Sequence, residues 1–329
     1  MEQNHPFSLH RLLLGLALGA LVYLGFALLS DPWRLVENLR QVPALTLLAA
    51  LGLSLVNYAL RFAKWQAYLR LLSIAIPWRR SLLIFLAGLT MSISPGKLGE
   101  VMKSLLLKRS DDVDIARSFP VVFAERFTDV LGLLLLVSLG VFVFQIGIHF
   151  FLLAMICAFA LILFTGSPRV LHHLLRFLGT FSLGRKLRPS LERAFGSARV
   201  LLRPRPLGWT TLVSAAAWSM EALAFALILS SLGASFPLLF EAFFVFSSSL
   251  LLGALSFLPG GLGITEGSLA TQILYFELLD DLDLALAATY LIRFTTLWFG
   301  VMVGLLAFFL FDRFLPANRQ ASLVDPHQR

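Results

Sequence analysis

Lys97, Glu100 and Lys103 follow a Pro95-Gly96 step in an otherwise apolar stretch, and Glu125, Arg126 and Asp129 interrupt a second apolar run. Arg293 lies deep in a third, where Glu221 or Glu266 can serve as its partner. Glu100 and Lys103 are i,i+3 on a helix, Arg126 and Asp129 likewise, and Glu125 and Asp129 share a face at i,i+4. Asn57 and Arg61 form a further i,i+4 pair at the end of an apolar run, although Arg61 with Lys64 and Trp65 also suits an anchor at a membrane–water boundary. A charge at bilayer depth costs about 2.5–3.5 kcal/mol on insertion scales, so it is retained for pairing or for a ligand. As ligand groups, Lys97, Lys103, Arg126 and Arg293 suit a phosphate, helped by the free N–H groups of a helix starting after the break, and Arg61 is a further substrate-binding candidate. Glu100, Glu125, Asp129 and Glu266 would balance those cations or hold a cationic headgroup. A structural ion network joining helices, with a hairpin tip made soluble by charge, is the other reading, and both stand at this point.

Other chemistries find little support. Gly96-Lys97 lacks the preceding glycine and following Ser/Thr of a phosphate loop. Asp111-Asp112-x-Asp114 and Asp280-Asp281-x-Asp283 resemble diphosphate-metal motifs, but Asp114 and Asp283 each precede a helical run and are read as N-caps. His172 and His173 are adjacent and so face different ways, which does not suit a metal. The single cysteine, Cys157, is read as a small core or lipid-facing residue. No nucleophile–base pair emerges. The expectation is a protein that is not an enzyme, with no cofactor and no metal.

These side chains need a scaffold, and composition decides its solvent. Of 329 residues, 58% are apolar and 14% charged, with mean hydropathy +0.83. Soluble domains carry about 25% charge, so lipid is the solvent here. Six runs are long enough to span: 12–29, 42–60, 119–144, 147–164, 209–232 and 284–311. Two more, 81–109 and 238–279, break at Pro95-Gly96-Lys97-Leu98-Gly99 and at Pro259-Gly260-Gly261-Leu262-Gly263. The net charge of +8 is concentrated: 165–208 holds nine Lys/Arg and one acid, and 61–80 holds five bases and no acid. The positive-inside rule puts both segments in the cytoplasm. Two full spans between them restore the side, so the broken stretch must return to the side it left. The same logic makes the second broken stretch a hairpin entering from outside, with both termini cytoplasmic. Non-helical backbone at membrane depth requires protein or a water-filled cavity around it. No aromatic-and-basic platform supports nucleic-acid binding.

The halves also resemble each other. Pro95-Gly96-x-Leu98-Gly99 recurs at Pro259-Gly260-x-Leu262-Gly263, the Asp-Asp-x-Asp triplet recurs, and Arg126-Phe127-Thr128 recurs as Arg293-Phe294-Thr295. The expected fold is therefore an all-α polytopic membrane protein in one domain over 1–329. It would have six full transmembrane helices, two re-entrant broken-helix hairpins and an inverted-topology repeat, with units at 42–144 and 209–311. The connector 165–208, with Leu171, Leu174, Leu175 and Leu178 on one face, reads as an amphipathic helix lying on anionic lipid.

The Pro95–Glu100 segment, Glu125-Arg126-Phe127-Thr128-Asp129 and Pro259–Glu266 together resemble the lysylphosphatidylglycerol synthase transmembrane region, also called the flippase-like domain family. The resemblance covers roughly 10–315. It implies movement of a phospholipid or phosphate-bearing glycolipid between leaflets of the inner membrane. It also implies a member without the aminoacyltransferase domain, since the sequence stops at Arg329. Partners would be membrane lipids, with a membrane synthase or glycosyltransferase a further candidate. The sequence leaves the oligomeric state open. An ion-coupled transporter of a small metabolite and an accessory subunit of such a synthase are the competing functions.

Overall fold

The computed structural model describes residues 21, 24–25, 31–94, 100–145, 147–149, 151–153, 155–157, 160, 182–235 and 239–311, and their regular structure is all helical. The expected spans 12–29 and 147–164 fall largely outside these residues, as do the first break (Pro95, Gly96, Lys97, Gly99) and the Leu171–Leu178 face. The other four expected spans are present as helices long and apolar enough to cross a membrane.

Helix α1 (Pro32–Gln41) starts with Pro32 behind an Asp31 cap that accepts from the Trp33 amide at 2.9 Å. Hydropathy alone does not predict it. Helix α2 (Ala44–Leu71) runs well past the apolar stretch that ends at residue 60. Helix α3 (Trp78–Leu89) passes into a 3-10 turn at Thr90–Ile93, and α4 (Met102–Asp111) follows the break. At 1.5 Å per residue these helices are about 18 and 15 Å long, each roughly half of a 30 Å hydrocarbon core. Arg80 near the start of α3 donates to Asp111 at the end of α4, which joins these two helix ends.

Helix α5 (Ile115–Phe144) is capped by Asp114, which accepts from the Ala116 amide at 3.0 Å. Helix α6 (Ser182–Leu201) lies in the basic connector and packs along α5, with Arg193 2.7 Å from Asp114. Helix α7 (Pro204–Ser231) is followed by α8 (Leu239–Leu255), a 3-10 turn at Pro259–Gly261 and α9 (Ile264–Tyr275). This second broken stretch also folds back. Gln272 on α9 donates to Ser249 on α8 at 3.0 Å and accepts from Ser248 at 2.9 Å, and the Phe244 and Phe276 rings meet edge-on.

The last span is α10 (Leu282–Arg293), a π-helical segment (Phe294–Trp298) and α11 (Phe299–Phe311). Asp281, not Asp283, caps α10, accepting from the Leu284 amide at 2.8 Å. The helix begins earlier than the apolar run, so the cap moves back, and Asp283 instead accepts from the Asp31 amide.

Packing is organised by contacts between the two halves. Helix α2 lies along α7, α3 along α11 and α5 along α8, and the two 3-10 turns touch. Two buried apolar clusters result. One is centred on α7, α8 and α10, and the other joins α2, α3, α4 and α5.

A charged cavity between the two halves

Asp129 is buried on α5, and polar groups surround its carboxylate. Its Oδ1 accepts from Lys64 Nζ at 2.6 Å and from Ser214 Oγ at 3.0 Å. Its Oδ2 faces Arg126 at 2.9 Å and Arg61 at 3.8 Å. Lys64 Nζ also donates to Ser214 at 2.5 Å and to Thr128 at 3.2 Å, which explains how a fully buried ammonium is tolerated. The charge count alone puts the whole of 61–80 in water. Arg61 and Lys64 instead lie inside the bundle because α2 continues, so only the later bases of that segment remain in the charge count.

Arg126 extends the network. Its NH1 lies 3.2 Å from Glu100, whose other oxygen lies 3.3 Å from Lys103 Nζ. Lys103 in turn reaches Glu125 at 2.5 Å and sits over the Trp65 and Phe85 rings at 5.0 and 5.5 Å. Its stem passes Gly88, where a Cβ would stand 2.7 Å from Lys103 Cγ.

The second half carries the matching pair. Arg293 Nε donates to Glu266 at 2.6 Å and its NH2 donates to the Gly260 carbonyl at 2.7 Å. Glu266 also accepts from the Gly263 amide at 2.7 Å. Gly260, Gly261 and Gly263 have φ of +62°, +67° and +85°, a region that side chains with a Cβ rarely enter, so this turn requires its glycines. Arg293 therefore fastens the break. Just after it, the π segment presents the Thr295 and Thr296 carbonyls to Ser54 and Tyr58 of α2, at 2.8 and 2.9 Å. Such segments recur at functional sites.

A cavity of about 250 Å³ lies between these groups, walled by Tyr58, Arg61, Arg126, Asp129, Trp218, Glu221 and Arg293 with the Gly260-Gly261 backbone. Arg61 lies over the Trp218 ring at 5.5 Å, and its Nε has no hydrogen-bond partner among the described residues. Three cations (Arg61, Arg126, Arg293) and two carboxylates (Asp129, Glu221) wall the cavity, and Lys64, Lys103, Glu100, Glu125 and Glu266 belong to the ion pairs behind it. All are buried except Arg126, which is partly so. A second cavity of about 610 Å³ is walled chiefly by apolar side chains of α5, α8 and α9.

Of the residues singled out by sequence, Arg61, Glu100, Lys103, Glu125, Arg126 and Asp129 join one network, and Glu266 and Arg293 form another. The cavity brings them together. Lys97, with Pro95, Gly96 and Gly99, lies outside the described residues. Sequence reasoning missed Lys64 as a network member, and missed Tyr58, Ser214 and Trp218. Helical spacing did hold a signal for one of them, since Tyr58, Arg61 and Trp65 recur at i, i+3 and i+7.

Comparison with known proteins finds membrane-protein relatives. Residues 12–304 match the family model described as the lysylphosphatidylglycerol synthase TM region. A UPF0104 membrane protein of Methanothermobacter thermautotrophicus is 23% identical over 317 residues, covering 89% of this chain and 93% of that protein. UPF0104 membrane proteins of Pyrococcus horikoshii and Methanocaldococcus jannaschii are each 26% identical, over 67% and 68% of this chain and 72% and 94% of theirs.

Proposed function

We propose that this protein, which belongs to the lysylphosphatidylglycerol synthase TM region family, is a lipid translocase. It moves a phosphate-bearing phospholipid or glycolipid between the leaflets of the cytoplasmic membrane. The observation that carries this reading is the buried charged cavity, walled by both halves of the chain, with a larger apolar cavity close by. Leu133 and Leu250 line the first, and their neighbours Leu134 and Leu251 line the second. A headgroup in one and an acyl chain toward the other is the arrangement an amphipathic substrate needs. At about 250 Å³ the charged cavity is below the roughly 300–1,000 Å³ of drug-sized pockets, so it suits a headgroup and not a whole lipid.

In this reading the two halves form an inverted repeat, and several features support it. Helices α2 and α7 are both 28 residues long and pack on each other. Each half's broken stretch packs on the other half's last span. Ser54 and Ser214, the eleventh residues of α2 and α7, each bond to the repeated Arg-Phe-Thr region of a last span. The Glu100–Arg126 pair has its counterpart in Glu266–Arg293. The broken stretches are re-entrant hairpins on this reading, supported by their short arms and by the Arg80–Asp111 closure. Both termini would then be cytoplasmic. Flipping proceeds by opening the cavity to one leaflet and then the other, with no enzymatic step and no cofactor.

The test uses the purified chain in liposomes containing lipids labelled on one leaflet. Wild-type protein is expected to speed exchange between leaflets, and Arg61→Gln to lose about tenfold or more of that rate, as befits loss of a charged hydrogen-bond donor. Exchange no faster than in protein-free liposomes, across phospholipid and glycolipid probes, overturns the reading. Uptake of a water-soluble metabolite by the same vesicles would favour an ion-coupled transporter instead.

A further inference from the structure

The apolar cavity between α5, α8 and α9 has no Lys, Arg, Asp or Glu among the described residues of its wall. Leu252, Leu255 and Tyr275 line it and are exposed, so in a spanning bundle it opens sideways to lipid chains. A site for hydrocarbon alone would need no polar group. This wall has a polar strip, made of Ser248 on α8 and Ser268, Thr271 and Gln272 on α9. Part of that polarity joins the two helices, as hydroxyl and amide groups commonly do in membranes. Gln272 Nε2 donates to Ser249 at 3.0 Å and to Ser268 at 2.8 Å, and its Oε1 accepts from Ser248 at 2.9 Å.

Those bonds do not use every donor. Ser249 and Ser268 lie 3.0 Å apart, and only one of the two hydroxyls can donate to the other. The second proton has no acceptor among the described residues. Ser249 is buried and Ser268 lines the cavity, so with Ser249 as the donor the spare proton of Ser268 is free to point into the cavity. Thr271, three residues on, lines the same wall, and its hydroxyl has no hydrogen-bond partner among the described residues. Thr265, three residues before Ser268, lines the charged cavity. From Thr265 to Thr271 is about 9 Å of helix. Hydroxyl groups thus lead from the headgroup cavity into the chain cavity.

A lipid whose chains are joined by esters carries carbonyl oxygens between its headgroup and its hydrocarbon. Water bonds them at the membrane surface, and taking them to bilayer depth without a donor is costly. We infer that the Ser268 and Thr271 hydroxyls bind the ester carbonyls of an acyl-chain glycerolipid, with its chains in the apolar cavity. The inference deepens the translocase reading and rests on it for transport, but binding can be measured separately. The probes are diacyl phosphatidic acid and its dialkyl ether analogue of equal chain length, which has the same phosphate and no carbonyl. One arm measures their binding to the chain in detergent, by displacement of a fluorescent phosphatidic acid. The other measures exchange of labelled forms between leaflets by the reconstituted chain.

Wild type is expected to favour the ester lipid by about fivefold or more in each arm, one or two hydrogen bonds being at stake. Thr271→Val keeps the shape and should reduce that preference, and adding Ser268→Ala should bring it close to one. Affinity for the ether lipid should stay unchanged in both variants, whereas a merely structural role would lower both lipids alike. Preference for the ester in the binding arm without any leaflet exchange supports the site and defeats the translocase. Equal binding of the two lipids overturns the inference, and leaflet exchange alongside it leaves the translocase standing. Failure of both lipids to bind, or an unchanged preference in the folded double variant, also overturns it. Thr271→Val breaks no hydrogen bond among the described residues and decides the matter if the double variant does not fold.

Discussion

Asp129 shows most directly how these charges are kept in the bundle. It meets Lys64, Arg126, Arg61 and the Ser214 hydroxyl. Removing one member of a buried ion pair costs about 3–5 kcal/mol, because the remaining charge is stranded. Asp129→Asn should therefore destabilise the protein by about that amount, read as the denaturation midpoint in detergent. Adding Lys64→Met to that variant removes the stranded ammonium and should recover most of the loss. Equal stability of Asp129→Asn and wild type would show that the carboxylate does not hold the network. The identity of these residues was legible from charge type and i,i+3 or i,i+4 spacing within apolar runs. The depth of Arg61 and Lys64 was not. Hydropathy ends a span where charges begin, whereas a helix ends where its backbone runs out of partners, here at Leu71. What keeps these charges inside is Asp129 and Ser214, both distant in sequence from α2.

At the scale of elements, the network depends on how closely α5 and α7 approach. A Cβ on Gly132 of α5 would stand 2.7 Å from the Ala215 backbone nitrogen of α7. That contact lies one residue from Ser214, which must reach both Asp129 and Lys64. Gly132→Ala should push the helices apart and cost about 1–3 kcal/mol, the range for overpacking. A Cβ on Gly52, in α2, would meet nothing within 4 Å. Gly52→Ala should be neutral or stabilising by up to about 1 kcal/mol, through helix propensity alone. Thermal unfolding of the two variants checks the contrast, and equal effects would refute the close-approach argument. The second break was visible in sequence as a Pro-Gly cluster, because proline and glycine act locally. The π segment after Arg293 was not visible, since Phe294-Thr295-Thr296-Leu297-Trp298 reads as ordinary helix. It is accompanied by hydroxyl groups on α2, a tertiary partner that no local pattern records.

At the scale of the molecule, the distribution of Lys and Arg sets the expected orientation, and the buried Arg61 and Lys64 weaken one part of that count. Arg70, Arg79 and Arg80 still follow them, and Arg193 of α6 lies beside Asp114 at the start of α5. The remaining asymmetry therefore keeps the same sign, with the acidic 277–283 segment at the opposite end of the second half. A re-entrant first hairpin then makes a definite demand. Ser73, before α3, and Asp112, after α4, must face the same compartment, although an apolar stretch separates them. If that stretch crossed the membrane, they would face opposite compartments. Glu277, after the second hairpin, must face the other side. Cys157 is exposed, so single cysteines at these positions belong in a Cys157→Ala background. With a membrane-impermeant thiol reagent, Ser73→Cys and Asp112→Cys are expected to react only after the cytoplasmic face is opened. Glu277→Cys is expected to react in intact cells. Labelling of Ser73→Cys and Asp112→Cys from opposite sides would remove the hairpin, and with it the inverted arrangement proposed for the two halves.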